Sequence, residues 1–204
     1  MRWTVAAGSA WGIYCALANG VPVASTFAQM AVPWVWVAAL VGWRFAQSSK
    51  RAALLGGVSL LAANVAYFGV SVIAASISAG YASSGIIFFA LWAGVGLVIG
   101  PISGLLGFFL KVPSHRFLAV ALLSSVSIAE PLALWAHIDH VDSHIAYLIV
   151  GALGLVLPMT LLGRDRKCLI GAIGIVMLAV YPTALILEVT LIALGQISPP
   201  MRLI

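Results

Sequence analysis

Seven apolar stretches divide the chain, at about residues 3–19, 30–46, 52–76, 85–110, 117–136, 144–163 and 168–195. A helix that crosses the hydrocarbon core of a bilayer needs about 20 such residues, because each adds about 1.5 Å. Every stretch meets or approaches that length, although Pro33 sits early in the second. The breaks between them are short: "NGVPVASTFAQ", "QSSKR", "SISAGYASSG", "KVPSHR", "HIDHVDSH" and "GRDRK". None is long enough to fold separately, so residues 1–204 read as a single transmembrane helical domain. Composition agrees. With 63% hydrophobic and 7% charged residues, a 204-residue chain has too little polar surface to coat a water-soluble fold. The expectation is an all-α integral membrane protein, a multi-pass bundle of about seven transmembrane helices in the cell membrane, with the lipid bilayer as its solvent.

Charge placement orients this bundle. Seven spans put the N-terminus and the loops after helices two, four and six on one side. Those regions hold Arg2, Arg44, Lys50, Arg51, Lys111, Arg116, Arg164, Arg166 and Lys167, nine of the ten basic residues. The positive-inside rule then predicts a cytoplasmic N-terminus and a non-cytoplasmic C-terminus. The basic residues lie between apolar runs and form no patch, so the net charge of +5 is not a nucleic-acid footprint. The first 20 residues contain one basic residue and no small-x-small cleavage site, and read as a retained helix rather than a signal peptide. Cys15 and Cys168 fall in apolar segments on opposite sides, which argues against a disulfide between them.

In the fourth stretch, Gly96, Gly100 and Gly104 stand four residues apart on one helix face. Two overlapping GxxxG units allow a second helix to approach closely. The expectation is tight packing within the chain, with a homodimer seam as the alternative. Pro101 in the same stretch is expected to kink the helix.

All five acidic residues occur after position 129. Asp165 lies in a basic loop, and Asp139 and Asp142 lie in "HIDHVDSH". That loop also carries His137, His140 and His144; a water-exposed turn capping the next helix explains it more simply than a metal site. Glu130 and Glu188 remain as the acids inside apolar helices, about 13 and 20 residues from the cytoplasmic starts of their helices. Carboxyls at membrane depth are expensive and mark functional sites unless they serve as polar glue. Pro131 follows Glu130 directly and is expected to loosen the helix there, which suits a position facing a cavity. Desolvation disfavours the charged form, so Glu130 is expected to carry its proton and act as an acid.

Aromatic residues supply the other half of the chemistry, because electron-rich rings stabilise a desolvated cation. Trp11, Tyr14, Trp34, Trp36, Tyr67, Phe68, Phe88, Trp92 and Trp135 form the candidate lining, with Asn64 one turn from Tyr67 as a polar orienting group. Ordinary packing or an interfacial belt is the competing explanation for any single ring. The chain contains no DDxxD, P-loop, HExxH or GxSxG motif, so no metal and no cofactor is expected.

A small chain of about seven helices with two membrane carboxyls, many aromatics and no metal motif resembles the integral-membrane terpene cyclases of fungal meroterpenoid and actinomycete indole-terpenoid pathways. The resemblance is one of architecture over the whole chain. "VPWVWVAALVGWRF" and "IGPISGLLG" also resemble a broader group of actinomycete membrane proteins without assigned function. The cyclase resemblance implies that an acid protonates an epoxide or alkene of a hydrophobic prenylated substrate and that the cation closes rings. The fungal enzymes carry one acid early in the chain, where this sequence has none, so Glu130 as acid and Glu188 as partner are assigned from their own positions. A small proton-coupled transporter, or a substrate-binding membrane subunit, is the alternative function.

Overall fold

The computed structural model describes residues 1–18, 21–77, 82–135 and 141–162, together with Leu178, Pro182 and Val189 as single helical positions. Among these residues the secondary structure is entirely helical. The elements are α1 (Arg2–Ala18), α2 (Pro22–Gln29), α3 (Ala31–Phe45), α4 (Ser49–Ile77), α5 (Ala82–Phe109), α6 (Pro113–Leu134) and α7 (Val141–Leu162). All but α2 fall on expected apolar stretches, and the stretch 168–195 lies outside the continuously described residues. Among the described residues two helical segments, Ser49–Ala74 and Phe89–Phe109, are long and apolar enough to cross a membrane. A third span results if α2 and α3 are counted as one bent unit.

The α2 helix corrects the sequence reading, which took "NGVPVASTFAQ" as a break. Pro22 sits at the first helical position, where its fixed φ suits a helix and its missing N–H costs nothing. The ladder stops at Met30, whose φ of −68° and ψ of 139° are extended, and α3 restarts at the next residue. The two helices meet at 65°. Trp34 holds the bend by donating its indole N–H to the Ala28 carbonyl at 2.9 Å, over a fully buried Met30. Pro33 is tolerated because it lies in the first turn of α3, where backbone N–H groups have no helical partner.

The chain forms two compact units, Met1–Arg116 and Phe117–Ile204, divided inside the first turn of α6. In the first unit α4 and α5 share the most extensive contact. They run antiparallel: Ala52 and Gly56 lie against Gly104, Gly57 against Pro101, and Leu60 and Asn64 against Gly96. A Cβ on Gly56 or Gly104 would enter backbone atoms of the facing helix, so only hydrogen fits. The Gly96, Gly100 and Gly104 face is therefore filled by α4 of the same chain, and the surface considered for a homodimer seam is occupied from within. Pro101 sits inside a continuous α5, with its ring over Gly57.

The same device seats the remaining helices of this unit. Gly8 and Gly12 of α1 press on the backbone of Ser59 and Ala63, so α1 and α4 run parallel. Gly42 of α3 meets the Gly104 carbonyl, and Gly107 meets that of Ala39. The interior is accordingly small: Ala38, Ala39, Ala52 and Ala63 are fully buried. Large apolar side chains point outward, among them Leu17 at 70% exposure, Ile73 at 63% and Val98 at 61%. In water such a surface would be an aggregation hazard; against lipid it costs nothing, and close packing of small residues holds helices together.

Leucine at Gly56 is expected to destabilise the first unit by about 1–3 kcal/mol through overpacking, read as a lower melting temperature in detergent. Leucine at Gly94, where nothing lies within 4 Å, is the matched control and should leave the transition unchanged.

Candidate functional site

Polar side chains in these helices mostly satisfy themselves. The hydroxyls of Ser71, Ser103, Ser125 and Ser127 each donate at 2.8 Å to the carbonyl four residues earlier, and Ser59 donates to Gly56 at 2.9 Å. A serine bonded to its own helix needs neither water nor a partner element, which suits an apolar solvent. Against this background two residues of α6 stand out. Ser124 is fully buried and its Oγ has no hydrogen-bond partner among the described residues. Glu130 is 3% exposed.

Pro131 was expected to loosen the helix at Glu130. Instead α6 continues through both residues to Leu134. The effect of the proline is chemical: it has no N–H to give to the Ser127 carbonyl, the acceptor a regular helix would supply from that position. Ser124, Ser127 and Glu130 follow at spacings of three, which keeps them on adjoining parts of one helix face.

Glycine brings α7 onto that face. A Cβ on Gly154 would lie 2.8 Å from the Ser127 Cβ, 2.9 Å from the Ile128 Cγ1 and 3.1 Å from the Ser124 carbonyl oxygen. Gly151, one turn earlier, faces the Pro131 ring, whose Cγ a Cβ there would meet at 3.8 Å. Tyr147, one further turn back, is 8% exposed and lies within electrostatic range of Glu130. The second unit thus brings a buried carboxyl, a phenol and, among the described residues, an unpartnered hydroxyl together in one helix pair. Tyr147 escaped the sequence reading. Its signal was the spacing Tyr147, Gly151, Gly154, which marks one close-packed face of α7.

The predicted aromatic lining divides into groups. In the first unit Trp34, Tyr67, Phe68 and Phe89 form a run of edge-to-face contacts, with centroid separations of 6.0, 5.1 and 5.5 Å. Such pairs hold one another in place. Trp11 and Tyr14 pair separately at 5.3 Å, and the buried Trp11 Nε1 has no hydrogen-bond partner among the described residues. Trp36 and Trp92 are half-buried on α3 and α5, and Phe88 lies on α5. Asn64 is buried and donates its side-chain N–H to the Leu60 carbonyl at 3.0 Å, beside Gly96. Trp135 belongs to the second unit, where its ring stands 4.5 Å from that of His144. Glu188, His137, Asp139, His140 and Cys168 lie outside the described residues. Cys15 is buried and free.

Among the described residues the structure is all-helical, two or three helices are long and apolar enough to cross a bilayer, and large apolar side chains face outward, the features of a helical membrane protein. Residues 2–192 match a family of unknown function (DUF6518), and the chain belongs to that family. No curated protein and no solved structure matches it.

Alanine at Ser124 removes a buried hydroxyl that makes no hydrogen bond among the described residues. It is expected to raise the melting temperature, by a stabilisation of about 1 kcal/mol, in detergent without substrate. A loss of stability would show that the hydroxyl has a structural partner.

Proposed function

We propose that this protein is a membrane-embedded terpene cyclase in which Glu130 is the acid. The observation that carries the reading is the α6–α7 cluster of buried Glu130, neighbouring Tyr147 and the unpartnered Ser124 hydroxyl. A buried carboxyl in apolar surroundings is suited to hand its proton to a weakly basic, water-poor substrate. Glu130 protonates an epoxide oxygen, and the C–O bond opens to a carbocation; with an alkene substrate the proton adds to the double bond instead. A second double bond of the prenyl chain attacks the cation and closes a ring. Loss of a proton to Glu188, a histidine or water ends the sequence, so the reaction is a net isomerisation with no oxidant and no metal. Tyr147 orients the carboxyl, and the Ser124 hydroxyl is free to bond a substrate oxygen.

The proposal includes seven spans with a cytoplasmic N-terminus. The parallel α1 and α4, both opposed to α5, suit that alternation, and they gather Arg2, Lys50, Arg51 and Lys111 at one end of the first unit. In a chain with Cys15 and Cys168 replaced by alanine, Ser143→Cys is expected to react with an impermeant thiol reagent added outside intact cells. Ser114→Cys should react only after the membrane is opened.

For the activity, membranes containing wild type or Glu130→Gln are incubated with epoxidised prenyl-indoles and related prenylated substrates. The variant is expected to lose conversion by about 10²–10⁴-fold, the usual contribution of a general acid. Tyr147→Phe should retain more activity than Glu130→Gln. Undiminished cyclisation by Glu130→Gln would remove that residue from the mechanism. Glu130-dependent uptake into proteoliposomes without product would assign the carboxyl to proton-coupled transport.

A further inference from the structure

An open apolar groove of about 550 Å³ runs between α1 and α3 in the first unit, lined by Trp11, Tyr14, Val37, Leu40, Trp43 and Arg44 among others. That volume is in the range of small-molecule sites, roughly 300–1,000 Å³. Its walls are hydrocarbon and aromatic, and Arg44 supplies its charge. Arg44 is exposed, with its guanidinium 5.9 Å above the Phe45 ring.

The position of that charge is set by the fold. The three-residue turn after α3 leads straight into Lys50 and Arg51 at the start of α4. Lys111, after α5, donates its ammonium to the Ala46 carbonyl in the same turn at 2.9 Å. Arg116 donates its Nε–H to the Leu110 carbonyl, also at 2.9 Å. Arg2 joins them, because α1 runs parallel to α4. Residues 1–129 contain no Asp or Glu, so none of these cations has a carboxylate within its own unit. An apolar groove that ends in positive charge with no carboxylate in its own unit is complementary to an amphiphile with an anionic head.

We infer that the α1–α3 groove binds an anionic phospholipid, with one acyl chain along Trp11, Val37 and Leu40 and the phosphate at Arg44. Trp43, beside Arg44, is an amphipathic ring that suits the interfacial zone, and Tyr14 lines the groove towards its far end. The inference rests on the membrane-embedded reading and is independent of the cyclase chemistry: Glu130 takes no part in it.

The test uses the full chain purified in detergent and native mass spectrometry with added phosphatidylglycerol or phosphatidylcholine of identical acyl chains. A single phosphatidylglycerol adduct is expected to dominate. Arg44→Gln, an exposed change that leaves the packing intact, should cut the preference for phosphatidylglycerol about fivefold, the effect of one basic residue at an anionic surface. Lys50→Gln, outside the groove, should cut it less. Ala10→Trp fills the groove from an exposed lining position and should reduce adducts of both lipids while the melting temperature is kept. Equal binding of the two lipids would overturn the inference. So would an unchanged preference in Arg44→Gln, or an equal loss in Lys50→Gln.

Discussion

Backbone-to-backbone contact at Gly104 is the constraint on which the first unit depends. One residue without a side chain is touched by Ala52 and Gly56 of α4 and by Gly42 of α3. Between helices in lipid there is no hydrophobic driving force, since the surrounding tails are as apolar as leucine. Attraction then comes from dispersion over many short contacts, and these require the helix axes to come close. Three helices meeting at one glycine satisfy that requirement together. Outward-facing leucines and isoleucines follow from it, because bulky groups placed inward would hold the axes apart.

Polar groups obey a similar economy. Serines that bond a carbonyl of their own helix are neutral passengers, and they allow polar residues to be numerous without creating sites. Lys111 and Arg116 go further and complete open carbonyls at the ends of α3 and α5, tying loops to helix termini. The α6–α7 pair departs from this pattern. It buries a carboxyl, Glu130, and, among the described residues, leaves the Ser124 hydroxyl without a hydrogen-bond partner.

Much of this was legible in the residues. Six of the apolar stretches became helices within a few residues of their expected limits, because near-continuous hydrophobicity needs no tertiary context to be read. The GxxxG face was also legible, since glycines four apart have few other uses in such a helix. Residues 22–29 were misread because proline and polar residues suggested a break, whereas Pro22 starts a helix. The ring contacts were the least legible. A sequence shows that Trp34 is present, but not that its N–H is already committed to Ala28. The spacing Tyr147, Gly151, Gly154 marks a close-packed face of α7, but that this face meets Glu130 is a relation between helices that no local pattern expresses.

The parallel pairing of α1 with α4 also bears on how the chain is made. Gly8 and Gly12 find their partners roughly fifty residues later, in Ser59 and Ala63. Non-local contacts of this kind form late, after the intervening chain has been built and closed. During synthesis α1 must wait with its glycine face unmatched while α2 and α3 are completed. With α2, the next helix made, it shares the small cluster of Cys15, Ala18 and Ala28. That cluster gives the first helix a provisional anchor before its permanent one exists, and it makes the order of assembly a property of where the glycines were placed.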